Sequence, residues 1–199
     1  MRRRVVTKRA RYMPSAINDG EDPLLYVRAD EVVAKIMASL GQGGVTERRA
    51  LWVEVCQELR GDLDLRIAVV TVGLPVAMLR ALADGMKLSK SFLMRQLDIP
   101  KSKIERRERS GSRLKKNETI ALLSLYRWIG EVEAIKCTGL MPELDSAEWL
   151  GAWLFLPNPT LNGRDPMAYL DTLEGMRVVG EVLEACLREL RDRSSAARS

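Results

Sequence analysis

The chain has 199 residues and a mass of 22.4 kDa, a size that suits one large or two small domains, each with its own core. At 46% hydrophobic and 30% charged residues it is too apolar for a disordered chain and too often interrupted by charge for a membrane protein. It holds no histidine, which removes the commonest general base and metal ligand together, and its net charge of +5 points to an acidic partner.

No run of about 18 uncharged apolar residues is present. The start, Met1 to Arg9, carries its charges with no apolar stretch behind them, so neither a secretory signal nor a membrane partner is expected, and a cytoplasmic location is. Cys56, Cys137 and Cys186 are odd in number, far apart and set in apolar helical sequence, which fits reduced packing residues better than a zinc site or a disulfide frame. Neither metal nor cofactor is expected.

In chain order, residues 1–22 carry six basic side chains (Arg2, Arg3, Arg4, Lys8, Arg9 and Arg11) and then a polar run, reading as a basic arm that is mobile unless bound. Residues 23–72 read as an N-terminal helical extension suited to dimerisation. Within it, Val32, Val33, Ile36, Met37 and Leu40 recur at helical spacing before Gly41 to Gly44 end the pattern. Thr46 is placed to cap a second helix bearing Leu51, Val55, Cys56 and Leu59, stopped by Gly61. Leu65 to Val72 is rich in β-branched residues but has no second strand to pair with, and reads as a linker or buried extended segment.

Residues 73–138 read as a helical middle domain. Gly73-Leu74-Pro75 opens a helix with proline in its first turn, carrying Val76, Leu79 and Leu82 to a stop near Gly85. Leu88-Ser89 starts a short helix with Phe92, Leu93 and Leu97; Asp98-Ile99-Pro100 breaks it; Ser102 to Glu105 restarts one as a capping box. Two short helices joined so tightly cross steeply, and the second can present its polar face to a DNA major groove. From Lys101 to Lys116 there are eight Lys or Arg against Glu105 and Glu108, a local net charge of +6 that would neutralise phosphates. Lys101, Ser102, Lys103, Arg106, Arg107, Arg109, Arg113, Lys115 and Lys116 are the candidate DNA contacts. Lys103, Arg106 and Arg107 suit the groove, and Arg113, Lys115 and Lys116 the phosphates. The alternative is an ordinary solvated helix face. Asn117 can cap a long helix to about Ile135 that supports the pair.

Gly139 to Asp145 reads as a domain boundary, and residues 146–190 as a small C-terminal helical domain. Ser146 is placed to cap a helix bearing Trp149 and Trp153, a four-residue spacing more typical of a core than of an interface, so Trp153 is expected inside. Pro157-Asn158-Pro159 stops that helix, Asp165-Pro166 starts a short turn, and Thr172 can cap a last helix with Val179, Leu183, Leu187 and Leu190 inward. The prolines fix φ, Asn158 can bond its own backbone, and Gly163 tolerates positive φ, so Pro157 to Pro166 forms a rigid corner: either a connection that orients two helices or a preorganised binding surface. The tail 191–199 reads as polar and frayed.

From about Gly73 to Leu190 the sequence resembles the Xre/MbcA/ParS antitoxin family. The carrying motifs are Gly73-Leu74-Pro75, Ile104 to Arg107 and Arg113-Leu114 with Glu118 in the middle region. At the C-terminus they are Trp153 to Pro166, Leu170-Asp171-Thr172, Gly175 and Val179. Ala121 and Ser124 stand where the family often has arginines. The resemblance implies an all-α protein, with a helix-turn-helix-like (Xre-type) middle bundle and a small helical C-terminal toxin-binding domain. It implies a cognate toxin of the RES type, which consumes NAD and whose active site the antitoxin covers, together with repression of the shared operon by binding operator DNA. The implied toxin contacts are Trp153, Leu154, Pro157, Asn158, Leu161, Asn162, Gly163, Arg164, Asp165 and Pro166. Arg188 and Arg191, in the basic end of the chain, are candidates to plug the toxin cleft, the bland alternative being a solubilising tail. A homodimer is expected, because operator half-sites call for paired reading heads. The competing reading is a free-standing helix-turn-helix regulator without a toxin. No enzyme is expected: Glu131 with Glu133, and Asp62 with Asp64, are two apart and diverge on a helix.

Overall fold

A computed structural model describes residues 23–40, 45–136 and 145–196, the side chains at 45–49 and 194–195 excepted. The basic arm, Gly41 to Gly44, the cap at Thr46, Cys137 and most of the Gly139 to Asp145 boundary lie outside what is described.

The described residues form helices joined by turns and short loops, with no strand among them, and the all-α expectation holds. The helices are α1 (Pro23–Leu40), α2 (Val45–Gly61), α3 (Leu63–Val72), α4 (Ala77–Gly85), α5 (Lys90–Gln96), α6 (Lys101–Ser110), α7 (Lys116–Lys136), α8 (Ser146–Trp153) and α9 (Leu173–Ala196). Two short 3-10 turns, Pro159–Leu161 and Pro166–Tyr169, lie between α8 and α9.

Leu65 to Val72, expected as an extended linker, is instead helix α3. Asp62 caps it by accepting from the Leu65 amide at 2.8 Å, and Leu65, Ala68, Val69 and Val72 bury one stripe at helical spacing. The β-branched residues lower helix propensity by only a few tenths of a kcal/mol each, less than burying their side chains returns. α3 packs mainly on α1, which also packs on α2. Lys35 joins α1 to α2 by 2.7 Å contacts to both Glu54 and Glu58.

The long helix α7 runs through the centre and touches α2, α3, α4, α8 and α9. Where it meets α1 and α2, the Trp52 and Tyr126 rings stack with centroids 4.6 Å apart. Ser39 Oγ lies 3.0 Å from the Tyr126 hydroxyl, and Trp52 Nε1 donates to the Ser39 carbonyl at 3.2 Å, so each buried polar atom in this knot has a partner. Burial there pushes the Tyr126 hydroxyl well above its usual range and the Cys56 thiol up to about 12.

The starts of several helices differ from expectation by a residue or two. α4 begins at Ala77, after a turn in which Pro75 and Val76 carbonyls accept from Met78 and Leu79. Asp145, not Ser146, caps α8, its carboxylate accepting from the amides of Ala147 (2.9 Å) and Glu148 (3.0 Å). That leaves Ser146 buried, where it donates to the buried carboxylate of Glu133. α9 continues to Ala196, so the expected frayed tail is helical to that residue.

α8 packs directly against the end of α4: a Cβ on Gly151 would lie 2.3 Å from the Met86 carbonyl oxygen. Only glycine permits that approach, and it brings the C-terminal helices onto the middle bundle in a single continuous core.

Candidate functional site

Two surfaces carry the candidate residues. On the first, α5 and α6 are joined by Leu97 to Pro100. Ser89 caps α5, accepting from the Phe92 amide at 3.1 Å, and Asp98 takes a φ of 49, a left-handed turn that Asp tolerates better than most residues. Leu93, Met94, Leu97, Ile99 and Ile104 are buried beneath the pair. No side chain caps α6; Pro100 stands at its start, and Ser102 lies exposed in the first turn rather than closing a capping box.

The register of α6 sorts its charges. Lys101, Lys103, Arg106 and Arg109 face outward, whereas Arg107 lies beneath the surface with Ile104 and is only 6% exposed. Arg107 therefore does not sit where a groove reader would: its guanidinium donates to Glu118 at the start of α7. The same carboxylate accepts from the Lys115 amide at 2.7 Å, so Glu118, and not Asn117, caps α7. Arg113 is also held, donating to the Gly73 carbonyl and to Asp30 at 2.9 Å each, which ties the loop after α6 to α1. Lys101 pairs with Glu105 at 3.7 Å and Arg109 donates to the Glu105 carbonyl at 3.3 Å. Lys103, Arg106, Lys115 and Lys116 make no ion pair among the described residues. Lys103, Lys115 and Lys116 line a groove of about 1260 Å³ together with Asp98, Ser112 and Arg113 among others.

The second surface is the corner between α8 and α9. Asn158 closes it three ways: its side chain accepts from the Thr160 amide at 2.9 Å, its amide donates to the Arg164 carbonyl at 3.0 Å, and its carbonyl accepts from the Gly163 amide at 2.9 Å. Asn162 (φ 56) and Gly163 (φ 76) turn the chain between these bonds, and a Cβ on Gly163 would meet nothing within 4 Å, so glycine is required there by conformation alone. Asp165 caps the next turn, accepting from Ala168 at 3.0 Å, and the Met167 amide donates to the Leu154 carbonyl at 2.9 Å, which locks the corner to α8.

Of the expected toxin contacts, Pro157, Asn162, Gly163 and Arg164 are exposed, and Asn158 and Asp165 half-buried. Trp153, Leu154, Leu161 and Pro166 are buried and serve as the corner's core; for Trp153 that is the place expected from its spacing. Arg188 and Arg191 lie on the exposed side of α9, Arg188 paired with Glu184 at 3.2 Å. Instead of Trp153 and Leu154, the apolar side chains turned to solvent are Phe155 (46% exposed) and Leu156 (58%). The signal was present: four consecutive large apolar residues, Trp153 to Leu156, cannot all face inward where a helix ends.

Residues 144–187, which contain this corner, match the family model described as the antitoxin Xre/MbcA/ParS C-terminal toxin-binding domain. Across 119 residues, 59% of this chain and 75% of the relative, the sequence is 26% identical to a protein of Sphingobium sp. (strain YBL2) named "Prs ADP-ribosylating antitoxin". No solved structure matches. The match and the relative bear out the resemblance carried by the sequence motifs: residues 144–187 are similar to the C-terminal toxin-binding domain of the Xre/MbcA/ParS antitoxins.

Proposed function

We propose that this antitoxin neutralises a RES-type, NAD-consuming toxin by seating the Pro157 to Pro166 corner over the toxin's active cleft, and that it binds operator DNA through α6 to repress the pair's own operon. The carrying observation is that the matched toxin-binding segment presents a rigid, hydrogen-bonded corner with exposed Pro157, Asn162, Gly163 and Arg164. A preorganised surface loses little entropy on docking. The relative's name couples an antitoxin to ADP-ribosylation, a reaction whose usual donor is NAD, and that chemistry fits a toxin that handles NAD. In this reading the chain itself is not an enzyme.

Operator binding is supported by Lys103, Arg106, Lys115 and Lys116, exposed and without an ion pair among the described residues, of which Lys103, Lys115 and Lys116 line the groove. The protein acts as a homodimer in this reading. Outside the C-terminal region, the large apolar side chains most exposed among the described residues all lie on α1 (Leu24, Val27) and α3 (Leu63, Ile67), and these offer a face to a second copy. Co-expression with the product of the adjacent gene, followed by mass measurement of the purified species, tests the assembly. A stable complex containing two copies of this chain is the expected result, and this chain recovered alone refutes the reading.

A further inference from the structure

The exposed apolar side chains of the corner do not stand alone. Phe155 belongs to the toxin-binding segment, yet its ring lies against Phe92 of α5, with centroids 5.7 Å apart at a tilt of 31°. Phe92 is half-buried and lies well outside residues 144–187. The guanidinium carbon of Arg95, one turn further along α5, sits 5.1 Å from the Phe92 ring centroid. Arg95 is exposed and has no carboxylate partner among the described residues. Leu156 follows Phe155 at 58% exposure, held by its amide donating to the Trp153 carbonyl at 3.0 Å.

The result is a platform built from two parts of the chain: two phenyl rings in contact, the exposed leucine that follows Phe155 in the chain, and an arginine braced on the half-buried Phe92 ring. Aromatic residues and arginine are the types that dominate binding energy in protein interfaces, and a guanidinium held on a ring is preorganised for a carboxylate. Scattered exposed apolar residues need no partner, but the ring contact joins Phe92 of α5 to Phe155, which with Leu156 lies inside the matched segment.

We infer that the toxin's footprint extends beyond residues 144–187 onto α5, where Phe92 and Arg95 join Phe155 and Leu156 to receive an apolar patch bearing a carboxylate on the toxin. This inference rests on the toxin-binding reading above. α5 also carries Lys90, which pairs with Glu108 of α6, so the seated toxin borders the basic helix.

The test uses the full chain and the purified product of the adjacent gene, with dissociation constants measured by calorimetry in the absence of DNA. Arg95→Glu is expected to weaken binding about tenfold or more, and Leu156→Asp about a hundredfold, while Arg80→Glu on the exposed side of α4 leaves it unchanged. Far-UV circular dichroism identifies any variant that misfolds, and Arg95→Gln, which removes the charge with little change of shape, then replaces Arg95→Glu. If the wild-type chain binds the neighbour but Arg95→Glu and Arg95→Gln bind as tightly as wild type, α5 lies outside the footprint and only this inference fails. If the wild-type chain does not bind the neighbour, the toxin-binding reading fails with it. If Leu156→Asp changes the oligomeric state by light scattering and leaves toxin affinity intact, the platform serves a second copy of this chain and the inference is overturned.

Discussion

The guanidinium of Arg107, on α6, and the carboxylate of Glu118, in the first turn of α7, form an ion pair largely withdrawn from solvent, with 8% and 12% of the two side chains exposed. Glu118 also takes the Lys115 amide, so one carboxylate both starts α7 and fastens the basic helix to it. Breaking such a pair by removing one member leaves a buried charge alone, which costs about 3 to 5 kcal/mol. Glu118→Ala is therefore expected to lower unfolding free energy in urea by an amount in that range. Replacing both residues with apolar ones, as in Arg107→Met with Glu118→Leu, is expected to recover most of the loss. A Glu118→Ala protein as stable as wild type would show the pair to be ornamental.

In the proposed operator-binding reading the outward charges of α6 face DNA. Charge reversal at Lys103 and Arg106 is expected to abolish retardation of operator DNA in a gel while leaving toxin co-purification intact. Lys115→Ala and Lys116→Ala are expected to weaken binding to all sequences alike, each lowering the slope of log K against log salt by about 0.9. Sequence-selective loss from the Lys115 or Lys116 change would assign base reading to the wrong end of the groove.

At the corner, Gly163 has open space at its missing Cβ but a φ of 76, so the cost of Gly163→Val is conformational. A β-branched residue held in that region costs about 1 to 2 kcal/mol. Asn158→Ala removes the side-chain acceptor of the Thr160 amide and costs about 1 kcal/mol. Both are expected to reduce toxin affinity by more than their effect on thermal stability, since the toxin then has to order the corner; equal affinity with lowered melting temperature would make the corner a connector only.

The buried thiol of Cys56 gives a pH signature. Its ordinary value of 9.0 is raised to about 12 in the fold, chiefly by burial. Above pH 9 the unfolded chain loses this proton while the folded chain keeps it, so stability falls as pH rises from about 9 to about 12. Tyr126, raised by the same burial, adds to the fall. Cys56→Ala is expected to lower stability at pH 7, through the cavity it leaves, but to flatten the alkaline limb. An unchanged slope above pH 9 would remove Cys56 from the account.

Amphipathic spacing is a local property, and it made α1, α2, α5, α7 and α9 legible from their residues alone. α3 was hidden because its β-branched run signals strand locally, while the stripe of Leu65, Ala68, Val69 and Val72 acquires meaning only once α1 offers a surface to bury it. The basic run on α6 was plain as a charge count, but which arginine turns inward depends on helix register, and that is set by the Pro100 start and by Glu118 eleven residues beyond Arg107. The corner was recognisable by its prolines, Asn158 and Gly163. Its exposed apolar side chains were not assigned, because a helix end inside the run Trp153 to Leu156 decides which two face out.

Neutralisation itself is read from the rate of NAD loss catalysed by the purified product of the adjacent gene as this protein is titrated in. NAD consumption is expected to stop once the toxin is saturated, and a chain carrying Asn158→Ala together with Gly163→Val is expected to need a higher concentration to reach the same end. Undiminished NAD consumption at saturating wild-type protein would contradict neutralisation.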